Sequence, residues 1–296
     1  MNVSVGMHSR LKLAMLLLLA TGSQCIHAAD WPIYAAGAEV ALPAGVTFPD
    51  ESPLPGLAVN PTIPEAHTSG SYQFKLPGIY YWKSATADGI VLIRSASRLG
   101  NADMVIKLVS AAATGANNAD AKYYASPDGE ALDLLLHPGL RDWACGPTSG
   151  IADVILSRFD IPARTVQWLG PNQIEGHQTL EVDLGEDGGW TLYDPHFGNA
   201  YALGVTGLEI WHRVNAGQDI ASMLRHYDPQ TPWQITPPPW EVYLEYNFAF
   251  GLWEASPGEV VMVAKPEVQA PQLSERLGGM PVRVVTESEM VDNYYH

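Results

Sequence analysis

The chain has 296 residues, of which 47% are hydrophobic and 16% are charged. A chain of this length and composition can bury a sizeable core, which excludes an intrinsically disordered protein and a charge-rich helical rod. Acidic residues outnumber basic residues 32 to 16, and a protein without a basic stripe is not expected to bind nucleic acid or an anionic membrane surface.

The first 29 residues have the layout of a secretory signal peptide. Arg10 and Lys12 flank the start of an apolar run that ends at Ala20, and small residues follow up to Ala28 and Ala29. The apolar run is about half the ~20 residues that a membrane-spanning helix needs. We therefore predict cleavage after Ala28 or Ala29 and a secreted or periplasmic protein that is not an integral membrane protein.

Short strands and one longer helix are predicted before the central part of the chain. Proline and glycine are frequent in 30–72, which indicates a loop-rich lead-in with short strands at most. Residues 71–83 predict a hairpin that turns at 76–78, residues 88–96 fit a strand or a helix start, and 101–113 has a helical pattern. Further elements are predicted as helices at 128–137, 208–214 and 218–226 and as strands at 240–250 and 260–264.

Cys145 is predicted to open an amphipathic helix. Pro147 suits the first turn of a helix, and an apolar stripe at helical spacing runs from Ile151 to Phe159. The unpaired backbone N–H groups at a helix N-terminus stabilise a thiolate and a developing oxyanion. After removal of the signal peptide Cys145 is the only thiol, and its position favours a nucleophile over the alternative of a buried structural thiol.

Two antiparallel strands after this helix carry a histidine and an aspartate. These two strands are predicted at 176–184 and 190–194, and a further strand is predicted before them at 163–169. If 185–188 form a four-residue loop, Leu184 pairs with Gly189, and His177 becomes a diagonal neighbour of Asp194 within side-chain reach. A two-residue loop would place the two side chains opposite each other, whereas an odd loop without a bulge would place them on opposite faces.

A thiol at a helix N-terminus, a histidine and an aspartate are the components of an activated cysteine nucleophile. His177 would take the thiol proton and later return it to a leaving amine, and Asp194 would orient the imidazole. A metal site made of these residues lacks closely paired ligands, so neither a metal nor another cofactor is expected. His196 is expected to be a loop histidine, with assistance to catalysis or contact to substrate as the alternative. Arg164 is expected to cap a helix or form a structural ion pair, with contact to substrate as the alternative.

Four phrases in this order resemble the transglutaminase-like superfamily of cysteine enzymes. They are Cys145 before a helix, FDIPARTV at 159–166, GHQTLEV at 176–182 and GGWTLYDPH at 188–196. The resemblance implies that Cys145 is the nucleophile, His177 the base and Asp194 the orienting acid. Members of the superfamily hydrolyse amide bonds or transfer a glutamine carboxamide onto an amine, and some have lost activity.

The region after the nucleophile departs from the pattern of the superfamily. Gly146 and Pro147 stand where a polar pair is expected, which puts the approach of substrate to the thiol in doubt. The resemblance also implies a second oxyanion donor from an upstream aromatic or amide side chain. The candidates for oxyanion or substrate contact are Trp143, Gly146 and His196, with Tyr123, Tyr124 and Trp82 as further oxyanion candidates.

The resemblance and the predicted elements together imply an α+β fold class. We expect a papain-like or transglutaminase-like core, with the cysteine at a helix N-terminus packed on an antiparallel sheet, and additional β-rich N- and C-terminal segments. The predicted divisions are a signal peptide at 1–29, a Pro/Gly-rich segment at 30–95, the catalytic core at 96–209 and a mainly β extension at 210–296.

The expected function is that of an exported enzyme that cleaves or transfers an amide acyl group through a thioester on Cys145. Its partner would be a peptide or protein amide, with an envelope polymer as one candidate. The alternative is an inactive binding or assembly factor of the same fold that handles envelope material or surface polysaccharide.

Overall fold

The computed structural model describes residues 33–51, 57, 62–68, 70–114, 145–171, 176–226, 242–256 and 258–295. The predicted signal peptide, the predicted helix at 128–137 and the oxyanion candidates Trp143, Tyr123 and Tyr124 lie outside these residues. No helix among the described residues combines the length and the apolar character that a membrane span requires.

Helices and strands alternate irregularly along the chain, so the protein is a mixed α+β structure, as predicted. The strands are β1 (Ile33–Ala35), β2 (Glu39–Ala41), β3 (Glu65–His67), β4 (Ser71–Gln73), β5 (Gly78–Lys83), β6 (Asp88–Arg94), β7 (Ala163–Leu169), β8 (His177–Asp183), β9 (Trp190–Asp194), β10 (Asn199–Tyr201), β11 (Leu224–His226), β12 (Ala249–Ser256), β13 (Glu259–Ala264) and β14 (Val282–Val284). The helices are α1 (Arg98–Thr114), α2 (Cys145–Arg158), α3 (Gly207–Asn215), α4 (Val242–Glu245), α5 (Ala270–Arg276) and α6 (Glu287–Tyr294).

An eight-stranded sheet carries the central part of the chain, in the order β11-β10-β9-β8-β7-β12-β13-β14. Its neighbouring strands are antiparallel except β13 and β14. The helices α1 and α2 bury their apolar residues against one face, together with Leu180 and Val182 of β8. The other face packs on α3 and α6 through Trp168, Trp211 and Met290. The sheet is therefore covered by helices on both sides.

The pairing of β8 with β9 decides which side chains meet at the end of the sheet. Leu180 is paired with Tyr193, and the N–H of Leu184 donates to the carbonyl of Gly189 at 2.9 Å. This confirms the predicted register with a four-residue connection. Because the side chains of a strand alternate between faces, His177 and Asp194 lie on the same face.

The phrase FDIPAR ends α2 and starts β7. Asp160 has a left-handed backbone conformation, with φ of 57°, and the N–H of Ile161 donates to the carbonyl of Leu156 at 3.2 Å. A left-handed residue closes a helix, and the following Pro162 cannot continue it. The chain therefore reverses within a few residues and enters the sheet at Ala163, directly beside the helix that it has just left.

The predicted hairpin at 71–83 is wrong. β4 belongs to a small sheet with β2 and β3, whereas β5 pairs with β6 and β6 with the short β1. The hairpin turn lies instead between β5 and β6, where the N–H of Ser84 donates to the carbonyl of Ala87 at 2.7 Å. β6 offers seven residues for pairing and β4 only three, so the longer ladder forms. The two other readings of this region, short strands at 30–72 and a helix at 101–113, are confirmed.

The predictions for the elements between residues 208 and 264 are confirmed only in part. The helix at 208–214 and the strand at 260–264 are confirmed, whereas the predicted helical segment 218–226 ends in β11, which pairs with β10. The predicted strand at 240–250 is mostly wrong, because the chain forms α4 and enters the sheet only at Ala249. In both cases tertiary contacts outweigh local propensity.

Candidate active site

Cys145 is the first residue of α2, and its side chain lies next to the first residues of β8. The half-buried thiol lies next to the side chain of His177 and the backbone N–H of Gln178, both of which act on its ionisation, and its Sγ is 4.0 Å from the carbonyl oxygen of Gly176. Ser149, one turn later, fixes the helix to the strand by donating to the carbonyl of Gln178 at 3.2 Å. Burial raises the pKa of the Cys145 thiol, but the hydrogen bond and charge of His177 outweigh burial, and the pKa is lower than that of an ordinary thiol.

His177 connects the thiol to a carboxylate. Its side chain is 4% exposed, and its Nε2 lies 2.7 Å from Oδ2 of Asp194. Since Nε2 is used in this bond, Nδ1 is the ring nitrogen that faces Cys145. Burial lowers the pKa of His177, but the charge and hydrogen bond of Asp194, together with the neighbouring Cys145, outweigh burial and raise the pKa to about 10. The imidazolium beside the sulfur therefore favours the thiolate of Cys145 relative to that of an ordinary cysteine.

Asp194 ends β9 and has donors at both carboxylate oxygens. Oδ1 accepts the backbone N–H groups of His196 and Phe197 at 3.1 and 3.2 Å. Oδ2 accepts from His177 and from the hydroxyl of Tyr243, each at 2.7 Å. Burial raises the pKa of Asp194, but the charge of His177 and these hydrogen bonds lower it further, so the carboxylate stays ionised in the interior.

Tyr243 is a residue of the site that sequence reasoning missed. It is fully buried in α4, far along the chain from Asp194, and its ring lies edge-on to His177. Tyr246 stacks on the imidazole with ring centroids 5.9 Å apart, and Phe197 lies 5.1 Å away. No local pattern connects these tyrosines to the motif, because only the return of the chain into β12 brings α4 to the end of β9.

Two glycines make room for the site. A Cβ at Gly176 would overlap the carbonyl oxygen of Trp168, so only glycine lets β8 begin so close to β7. A Cβ at Gly146 would lie 2.5 Å from Oε1 of Gln178. The glycine after the nucleophile, which the sequence presents as a departure from the superfamily, therefore gives space to the side chain of Gln178.

The remaining predicted site residues fall at different places. His196 lies beside the site, with its ring centroid 6.1 Å from that of His177. Trp82 packs instead in the apolar cluster of the N-terminal strands, against Gly89. Among the residues that the structure describes, no cluster of three or more His, Cys, Asp or Glu side chains is arranged to hold a metal.

Arg164 forms an internal ion pair, as predicted. Its Nε donates to Oε2 of the buried Glu181 at 2.8 Å, and its guanidinium is sandwiched between the rings of Trp190 and Tyr295. Glu181 lies on the same strand as His177, four residues later. The pair therefore supports the strand that carries His177, on the same face and farther along the strand.

Comparison with known proteins gives no match: no family model, no curated protein and no solved structure is similar to this chain.

Proposed function

We propose that the protein is a cysteine-dependent acyl-transfer enzyme of the transglutaminase-like type, built on a papain-like core. The observation that carries the proposal is the 2.7 Å contact of the buried His177 and Asp194 side chains, with the thiol of Cys145 next to the same imidazole. The superfamily order of these residues in the sequence supports the same assignment.

The first step would be attack of the Cys145 thiolate on the carbonyl carbon of an amide. A carbon–sulfur bond forms, and the electron pair of the carbonyl moves onto its oxygen. When the tetrahedral intermediate collapses, the carbon–nitrogen bond breaks, and the leaving amine takes the proton from Nδ1 of His177. The product of this step is a thioester on Cys145 and a neutral imidazole.

The second step would return the enzyme to its starting state. Water or an amine gives a proton to His177 and attacks the thioester, and the carbon–sulfur bond breaks to release the thiolate. Hydrolysis and transamidation share the first step and differ only in which nucleophile reaches the thioester. The backbone N–H of Cys145, at the N-terminus of α2, would stabilise the oxyanion, with Trp143 as a candidate second donor.

The active enzyme is better supported than the inactive binding factor. Burial of a carboxylate and a histidine with a raised pKa is typical of functional sites, and these two side chains lie beside the only thiol of the proposed mature chain. The proposed substrate is a peptide or protein amide. Secretion, with residues 1–29 as the signal, remains part of the proposal.

The test combines turnover with detection of the intermediate. The wild-type protein should incorporate an amine into, or hydrolyse, a casein substrate and should show an acyl adduct on Cys145 by intact-mass spectrometry after rapid acid quench. The Cys145→Ala protein should show neither while keeping the circular-dichroism spectrum of the wild type. Equal turnover by the two proteins would refute the assignment.

A further inference from the structure

Gln178 lies beside the proposed nucleophile on two sides. Its backbone N–H donates to the sulfur of Cys145, and its side chain reaches the next residue of the helix, Gly146. The contact is close, since even a Cβ on Gly146 would come within 2.5 Å of Oε1. The carboxamide oxygen of Gln178 therefore lies beside the residue that follows Cys145 in the first turn of α2.

The orientation of this carboxamide follows from its neighbours. The indole N–H of Trp253 can only donate, and it lies 3.2 Å from Oε1 of Gln167. Nε2 of Gln167 donates to the carbonyls of Trp168 and His177 at 3.1 and 3.2 Å, so Oε1 of Gln167 is the acceptor. The group that Gln178 presents to this oxygen at 2.9 Å must then be its NH₂. A flipped amide would place two oxygens against each other.

Since the NH₂ of Gln178 is bonded to Gln167, its Oε1 is the group that faces Gly146 and can act as an acceptor. Within the part of the chain that the structure describes, no donor is bonded to this oxygen. The side chain is half-buried, so a hydrogen bond from a ligand N–H to this oxygen would stabilise the bound ligand. An acceptor held by neighbours discriminates well, because a ligand without the matching N–H leaves it unpaired.

We propose that Oε1 of Gln178 accepts an N–H of the acyl substrate at Cys145 and so favours compounds whose N–H lies one or two bonds from the carbon that the sulfur attacks. The favoured class includes peptide and carboxamide groups, and fully N-alkylated amides and esters at that position are disfavoured. This selection rests on the proposed function, since it requires that the thiol react. It also gives a reason for glycine at 146, because any larger residue would displace the oxygen.

The test compares two alkylating probes, one with an NH₂ group and one in which two methyl groups replace its hydrogens. Iodoacetamide and N,N-dimethyl-iodoacetamide both give a carbon–sulfur bond to Cys145 and release iodide. The rate ratio of the two probes is normalised to the ratio for N-acetylcysteine at the same pH. The wild-type protein should favour iodoacetamide by roughly two- to tenfold after normalisation, the effect of one net hydrogen bond.

Two variants remove the acceptor by different routes. Gln178→Met keeps the length of the side chain but has no strong acceptor, and Gly146→Ala keeps Gln178 but displaces its oxygen. Both should bring the normalised ratio close to one. Gln73→Met, in the small sheet of β2, β3 and β4, is the matched control and should leave the ratio unchanged.

The outcomes separate this inference from the proposed function. A fast-reacting thiol whose preference disappears in both variants supports the inference. A fast-reacting thiol with a normalised ratio of one in the wild type, or with an unchanged preference in folded Gln178→Met, overturns the inference and leaves the nucleophile intact. A thiol that reacts more slowly with both probes than N-acetylcysteine contradicts the proposed function itself.

Discussion

Asp194 is the residue on which the charge state of the site depends. Four donors reach its two oxygens, two from the backbone of the following turn and two from His177 and Tyr243. A carboxylate with this many donors stays ionised although it is buried. Its charge raises the pKa of His177, and the protonated ring in turn stabilises the thiolate of Cys145.

Tyr243→Phe should weaken the hydrogen bonding of Asp194 without changing the fold. The variant loses one hydrogen bond to a buried carboxylate, so we expect a loss of about 1–3 kcal/mol in the free energy of unfolding. Without this donor the negative charge of Asp194 acts more strongly on the ring, and the pKa of His177 should rise above that of the wild type. Chemical denaturation and NMR titration of the His177 ring measure the two effects.

Tyr80→Phe is the matched control for this prediction. Tyr80 is buried in β5 and donates to the carbonyl of Leu76 at 2.7 Å, far from the thiol. This variant should also lose stability but should leave the His177 titration unchanged. If both variants left it unchanged, Tyr243 would have no influence on the charge of the site.

The pH dependence of the thiolate follows from the direction of each shift. Because its pKa is lowered, Cys145 ionises at lower pH than an ordinary thiol, and His177 stays protonated up to about pH 10. Turnover should therefore rise with pH through the lowered pKa of the thiol and fall as pH passes about 10. In Asp194→Asn the falling limb should move to lower pH, because the charge that raises the pKa of His177 is gone.

Ultraviolet absorbance of the thiolate measures the rising limb independently of turnover. The Cys145→Ala protein supplies the blank, since Cys145 is the only cysteine among the described residues. A thiolate signal that appears only above the ordinary range of a free thiol would show that His177 does not activate the sulfur.

At the scale of elements, the buried pair of Arg164 and Glu181 connects four parts of the fold. Arg164 lies on β7 and Glu181 on β8, and Oε1 of Glu181 accepts the N–H of Gly207 at the start of α3, at 2.7 Å. The same oxygen accepts the hydroxyl of Tyr295, and NH1 of Arg164 donates to the carbonyl of Tyr294 at 2.6 Å. The C-terminal residues are thereby held against the strand that carries the histidine.

Arg164→Ala should therefore destabilise the protein strongly. It leaves the carboxylate of Glu181 buried without its cation, a loss of about 3–5 kcal/mol in related cases. Arg213→Ala, which breaks the more exposed pair with Glu209 on α3, should change stability by about 0.5 kcal/mol or less. Urea denaturation of both variants gives the comparison, and equal losses would mean that Arg164 is no more important than a surface charge.

At the scale of the molecule, one apolar cluster joins segments that the sequence assigns to different parts. Ile79 and Leu92 from the N-terminal strands pack against α1, α2 and Leu180 of β8. Beyond residue 210, β12 pairs with β7 and extends the sheet. The division at residue 209 stays a prediction, but the described strands on either side of it belong to one sheet.

A chain cut back to residues 96–209 should therefore not fold. It lacks β12, so β7 would expose an unpaired edge and an apolar face, and it also lacks Tyr243. We expect aggregation or a disordered circular-dichroism spectrum, against a folded monomer or oligomer for residues 30–296. A soluble 96–209 chain with cooperative thermal unfolding would contradict this view of the fold.

The sequence by itself determined the local parts of the site. The helix that opens at Cys145, the turn through Asp160 and Pro162, and the alternation of His177 with its neighbours depend on contacts within a few residues. For the same reason the register of β8 with β9 was among the few that the connecting loop allowed. The mixed α+β class follows from the same local patterns.

Only the tertiary structure decided the rest. Tyr243, the acceptor role of Gln178 and the support of Glu181 by the C-terminal residues all depend on elements that meet across long stretches of chain. The segments around β4, β11 and α4 were misread because their pairing partners lie elsewhere in the chain. Hydrogen bonding and burial between distant segments cannot be read from periodicity, since a short segment with weak propensity adopts whichever conformation its partners stabilise.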